Sequence, residues 1–225
     1  MKPLSDYTFN TLRIKPNDDP YQYHPKSRDE LRAIIEEKLQ ENTEELNLTD
    51  VDVSNITDMS KLFEDLQSVK RINCEDWNTS KVTDMWHLFY NCFKLEEINV
   101  RGWDVSNVED MTGLFMFCSN LKRIYGIEKW KTSSLKRAVS IFNRCVNLTE
   151  IDLSSWDSIN IEYTNFMFLR CVKLKDIYGL EYWETPNLKN YRDMFEGCKK
   201  LNPKSYNMWP SQFKTQYEIK FMKVK

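Results

Sequence analysis

Tryptophan recurs in this chain at Trp77, Trp103, Trp130, Trp156 and Trp183, at separations of 26, 27, 26 and 27 residues. Val51 holds the same phase 26 residues before Trp77. Twelve positions after these six anchors stand Phe63, Phe89, Phe115, Phe142, Phe168 and Phe195. Three positions further on come Leu66, Cys92, Cys118, Cys145, Cys171 and Cys198. A fixed period of this length is the signature of stacked supersecondary units, none of which can bury an apolar face alone. The columns are therefore the core, and the chain is a repeat array.

Within one unit the apolar period changes. Val108, Met111, Leu114, Phe115 and Cys118 have the spacing of about three helical turns, and Ser106 with Glu109 reads as a capping box, so this half is predicted helical. Leu95, Ile98 and Val100, like Leu148, Ile151 and Leu153, end in the alternation of a short strand. Stacking such units predicts an α/β, right-handed leucine-rich-repeat-type solenoid of about six strand-helix coils. Residues 46–201 form this solenoid. Residues 1–45 hold an N-terminal segment and a capping helix, with Ser27 and Glu30 ahead of Leu31, Ile34, Ile35 and Leu39. Residues 202–225 are predicted to be a divergent, basic C-terminal cap.

The segments DVSNITDMSKLF (52–63), WNTSKVTDMWHLFYNC (77–92) and WDVSNVEDMTGLFMFC (103–118) carry a resemblance to a known family. With the strand pattern before them, as in LEEINVRGWDVSNVEDMTGLFMFC, they resemble the variant leucine-rich repeat of BspA-like bacterial surface proteins and mycoplasma lipoproteins. The later units keep the core columns but lose the Thr-Asp-Met string. The resemblance implies protein binding or adhesion by a repeat surface, with no chemistry attached to the repeat itself.

Composition narrows the function classes. With 32 Lys and Arg against 34 Asp and Glu, the net charge of −2 gives no global attraction to nucleic acid or anionic lipid. Five glycines leave no phosphate-cradling loop, and no apolar run approaches the roughly 20 residues of a membrane span. The start, MKPLSDYTFN, lacks the apolar region of a leader, so the expected location is cytoplasmic, or the cell surface if a leader has been removed. All six cysteines sit in core columns, and helices packed about 8 to 10 Å apart would hold neighbouring thiols beyond disulfide reach. With no C-x-x-C pair, neither disulfide nor zinc is expected.

Candidate sites are few. His24 and His87 have no motif partner, so no catalytic residue, metal or cofactor is expected. Asp58, Asp84 and Asp110 form one acidic column and Asp52 and Asp104 another; a calcium ladder is the alternative to a simple role at helix N-termini, which is the preferred reading. The seven lysines from Lys199 onward, mixed with Tyr206, Trp209, Phe213, Tyr217 and Phe221, suit either a solvated cap or single-stranded nucleic acid. The strand face offers the best docking surface, through Arg71, Glu97, Arg123, Tyr125, Glu150, Asp152 and Tyr178. Arg123, Tyr125 and Tyr178 are its anchors, because exposed tyrosine beside arginine is typical of binding hot spots. The two tyrosines mark the units with an extra residue, IYGIEKW and IYGLEYW, where Gly126 and Gly179 permit a bulge. The reading is a non-catalytic protein-binding module for an intracellular protein, such as an inhibitor encoded by a phage or mobile element. The alternatives are an exported adhesin and a nucleic-acid binder acting through the C-terminus.

Overall fold

A computed structural model describes residues 19–202. Of the predicted cap at 202–225 all but Asn202 lies outside the described residues, with its aromatics and the lysines from Lys204 on, as do residues 1–18 of the N-terminal segment. Helix α1 (Arg28–Glu41) starts where its sequence signals place it: the Ser27 hydroxyl accepts the Glu30 N–H at 3.2 Å. Leu31 and Ile35 are buried in the core, and Arg32 donates to the Leu62 carbonyl at 2.7 Å, so α1 lies against the first coil.

Among the described residues six three-residue strands follow: β1 (Glu45–Asn47), β2 (Arg71–Asn73), β3 (Glu97–Asn99), β4 (Arg123–Tyr125), β5 (Glu150–Asp152) and β6 (Asp176–Tyr178). All pair in parallel, column on column, with Leu46, Ile72, Ile98 and Ile124 in one register row. The body is a parallel-strand solenoid. Its interior is two aromatic stacks. The Phe rings from Phe63 to Phe195 follow one another at 4.9 to 5.9 Å, and the Trp rings from Trp77 to Trp183 at 5.8 to 6.3 Å. Those spacings are the rise of a β ladder plus a small splay.

The other half of each coil is not a helix. The apolar residues point inward as predicted, but the backbone runs as consecutive turns that form a second ladder. Met59, Lys61, Phe63 and Asp65 donate their N–H groups to Asp84, Trp86, Leu88 and Tyr90 of the next coil, at 2.9 to 3.0 Å. The residues between them donate locally, as Leu62 does to Met59 and Glu64 to Lys61. This alternation requires a left-handed residue at two fixed positions of every coil. Lys61, His87, Gly113, Ser140, Phe166 and Asp193 occupy one, and Asp65, Asn91, Phe117, Arg144, Arg170 and Gly197 the other, all with φ between 52° and 80°. Such a conformation costs a side-chain-bearing residue roughly 1–2 kcal/mol. Inter-coil hydrogen bonds offset that cost, which an α-helix would have avoided at the expense of the ladder.

Three expectations change with the helix. The capping-box pairing of Ser106 and Glu109 is absent: Asp104 accepts the Ser106 N–H at 2.9 Å, and Glu109 pairs with Lys136 at 2.8 Å. The acidic columns are turn-formers, since Asp58, Asp84 and Asp110 each accept the N–H two residues on, at 2.7 to 2.8 Å. The Asp column is also closed at both ends by cations, Arg28 on Asp58 at 3.5 Å and Arg137 on Asp110 at 2.6 Å. Finally, the column cysteines lie in the turns that close each ladder segment rather than on separate helices, so the helix-spacing argument does not apply to them. Cys92, Cys118, Cys145, Cys171 and Cys198 each direct Sγ at the carbonyl of a Phe in the preceding coil, at 2.9 to 3.1 Å. All six are free thiols, and burial pushes the Cys74 and Cys118 thiols well up.

The strand ladder has one discontinuity. β1–β4 form one sheet and β5–β6 another, although the turn ladder runs unbroken past the same point through Asp110, Arg137 and Tyr163. The break coincides with the widest spacing in the Phe stack, 5.9 Å between Phe115 and Phe142.

Candidate protein-binding face

The strand face carries the side chains at the first and third positions of each strand, and the structure sorts the candidates along it by burial. Arg71 is only 9% exposed and pairs with Glu45. Asn73 and Asn99 are buried, with Asn73 donating to Asn47 at 3.4 Å and accepting the Glu75 N–H at 3.2 Å. Near its N-terminal end the face is thus a self-satisfied polar ladder, not the exposed surface that strand alternation suggests. Glu97, Tyr125 and Asp152 are half-buried, while Arg123, Glu150 and Tyr178 are exposed. The open portion begins at β4.

Charge along the first strand position alternates as Glu45, Arg71, Glu97 and Arg123, each opposite its neighbour in register. Across the sheet break the pattern fails, for Glu150 lies opposite Asp176. Like charges directly opposed are unfavourable, and Asp152 adds a third carboxylate two residues from Glu150. Among the described residues none of these three acids has an ion-pair partner; Asp176 accepts one amide hydrogen, from Asn202 at 3.3 Å.

The extra residue in the two longer units falls just beyond β4 and β6. Gly126 and Gly179 have φ of 101° and 92°, and each is followed by one turn of 3-10 helix, Ile127–Lys129 and Leu180–Tyr182. A side chain at either glycine would strike the preceding coil: a Cβ would lie 2.7 Å from Arg101 Cα at Gly126 and 2.3 Å from Ser154 Cα at Gly179. In both copies a glutamate two residues on accepts the glycine N–H at 3.0 Å. The backbones are therefore two castings of one shape.

Their side chains differ. Over Tyr125 lies the Arg101 guanidinium, 4.9 Å from the ring centre, and Arg123 donates to the Tyr125 hydroxyl at 3.5 Å. Over Tyr178 the corresponding residues are Ser154 and Asp176, neither of which can cover the ring, and Tyr178 stays 50% exposed. Lys129 is likewise replaced by Tyr182, 73% exposed. Asp176 first, then partial desolvation and the charges of Glu150 and Asp152, hold the Tyr178 phenol above its ordinary pKa. The position that distinguishes the copies, Arg101 against Ser154, escaped the sequence reading; aligning the residue 24 positions after Trp77 and Trp130 would have found it.

Neither histidine joins the face. His24 lies between Asp19 at 3.0 Å and Asp52 at 3.5 Å. His87 is sandwiched by the Trp86 and Tyr90 rings at 4.3 and 4.4 Å, and burial lowers its pKa. Among the described residues no cluster of three or more metal-ligating side chains occurs, and no helix is long and apolar enough to cross a membrane.

Several solved structures are similar. A leucine-rich repeat protein from Bacteroides ovatus is 19% identical, with a TM-score of 0.46 over 69% of this chain and 35% of that one. One from Eubacterium ventriosum is 20% identical, with a TM-score of 0.47 over 74% and 45%. The leucine-rich repeat protein of T. pallidum is 15% identical, with a TM-score of 0.44 over 79% and 83%. The chain thus spans less than half the length of the first two. No curated protein matches it. The family described as "Mycoplasma protein of unknown function, DUF285" matches residues 33–124 and 87–209, across the whole stack of Trp and Phe columns. The chain belongs to that family.

Proposed function

We propose that the protein is a non-catalytic binding module that docks another protein on the open end of its strand face, from β4 to β6. The supporting observation is the exposure of Tyr178 and Tyr182 on a rigid ladder whose other large apolar side chains are nearly all buried. Tyrosines fixed by their backbone lose little entropy on binding, so a small area can carry a specific contact. Glu150 and Asp152 lie beside Tyr178 and set polarity there, Arg123 does so at Tyr125, and Arg71, paired with Glu45, and half-buried Glu97 act as support.

The test is affinity capture from lysate of the source cell and of any host, comparing wild type with a Tyr125→Ala, Tyr178→Ala double variant of unchanged far-UV spectrum and melting curve. A protein captured by wild type and lost from the variant is the expected result. Equal capture by both would move the function off the strand face, and recovery of nucleic acid with salt-sensitive binding would replace this reading with one centred on the C-terminal lysines.

A further inference from the structure

The molecule contains an occupied and a vacant version of one site. At the first, Asn99 pairs with Tyr125 across the ladder and the next residue but one, Arg101, lays its guanidinium over the tyrosine ring at 4.9 Å. At the second, Asp152 pairs with Tyr178 in the same register and the next residue but one is Ser154. The register is fixed by equal bonds, Val100 N–H to the Tyr125 carbonyl and Leu153 N–H to the Tyr178 carbonyl, both 2.9 Å. Three cationic positions of the first site, Arg101, Arg123 and Lys129, become Ser154, Asp176 and Tyr182 in the second. Asn99 becomes Asp152, and Glu97 persists in kind as Glu150. The occupied site carries three bases and one acid, the vacant one three acids and no base.

We infer that the face around Tyr178 receives an arginine side chain from a basic partner segment, in the position that Arg101 fills over Tyr125. This rests on the strand face being the docking surface and goes further in naming the chemistry of what docks. A planar guanidinium stacks on an aromatic ring and bonds to carboxylates around its edge, and here the carboxylates of Glu150, Asp152 and Asp176 stand beside an open ring. Lysine matches the charge but not the plane. Tyr182 adds a second exposed ring for the flanking residues of an extended segment.

The full chain is titrated with a fluorescein-labelled Gly-Arg-Gly-Arg-Gly peptide and with the same peptide carrying lysine or citrulline. The arginine peptide is expected to bind about tenfold more tightly than the citrulline peptide and several-fold more tightly than the lysine peptide. Ser154→Arg should place an internal guanidinium on Tyr178, as Arg101 is placed on Tyr125, and weaken the arginine peptide about tenfold. Tyr178→Ala should do the same. Equal affinity for the arginine and citrulline peptides, equal affinity for arginine and lysine, or undiminished binding to a folded Ser154→Arg protein would each overturn the assignment. A protein partner retained by Ser154→Arg but lost from the Tyr125→Ala, Tyr178→Ala variant would overturn the arginine site and leave strand-face docking standing.

Discussion

The segments Ile124–Trp130 and Ile177–Trp183 share a backbone down to the positive φ of their glycines and the glutamate that bonds them, yet one is wrapped in cations and the other in anions. The stack tolerates that inversion because its stability resides in the interior columns and the two backbone ladders. Exposed charge pairs contribute little in water, so charge on the strand face is free to vary from coil to coil. The first sheet has used that freedom for internal neutrality. The second has left the carboxylates of Glu150, Asp152 and Asp176 without an ion-pair partner among the described residues, although Asp152 accepts the Ser154 N–H at 2.9 Å and Asp176 the Asn202 amide at 3.3 Å.

The comparison can be broken most severely from inside. Phe115 is fully buried between Phe89 and Phe142 at the level where the sheets separate. Phe115→Ala is expected to cost about 3–5 kcal/mol in urea unfolding and to loosen both sheets; an unchanged midpoint would mean that the Phe stack does not hold the halves together. A smaller change sharpens the contrast at the surface. Asp176→Arg restores the alternation with Glu150 and should stabilise by about 0.5 kcal/mol, whereas Arg123→Glu, which sets like charges beside Glu97, should destabilise by about as much. Equal responses would show that the sheets do not differ electrostatically.

Two titrations give the finest resolution. Tyr178 should ionise above the ordinary tyrosine range, and Asp176→Asn should bring it back toward that range in a phenolate absorbance titration, because the Asp176 carboxylate is the leading cause of the shift. On the turn ladder, burial and then the neighbouring carboxylates of Asp110 and Asp58 raise Asp84. A raised carboxyl favours the folded protein below its unfolded pKa of about 4, and that advantage disappears as pH rises through the folded value. Asp84→Asn keeps the acceptor for the Trp86 N–H and should therefore melt no lower than wild type at neutral pH; a clear loss would assign the charge itself a structural role.

Much of this was legible in the residues. The Trp and Phe columns fixed the stacking direction, and the strands lie where Leu95, Ile98 and Val100 place them. The turn half was misread because apolar residues at spacings of 3, 3, 1 and 3 face inward equally well on an α-helix and on a run of turns. The distinguishing signal was faint: Gly113, Gly197, Asn91 and Asp65 at the two left-handed positions, diluted there by Phe117 and Phe166. At the candidate site, Tyr125 and Tyr178 were visible through the inserted residue. Their cover was not, since it comes from the preceding coil, where a side chain matters by its height on the ladder rather than by its neighbours in sequence.

The sheet break has a mechanical consequence. Between β4 and β5 the strand pairing lapses while the turn ladder through Asp110 and Arg137 continues, and beside the strands the coils are joined by side chains alone, Asn147 donating to the Ser119 carbonyl at 2.9 Å and Trp156 to the Ile127 carbonyl at 3.4 Å. Pulled from its ends, such a body yields first at this seam, and the two tyrosine sites, one on each side of it, change their separation before either changes its shape.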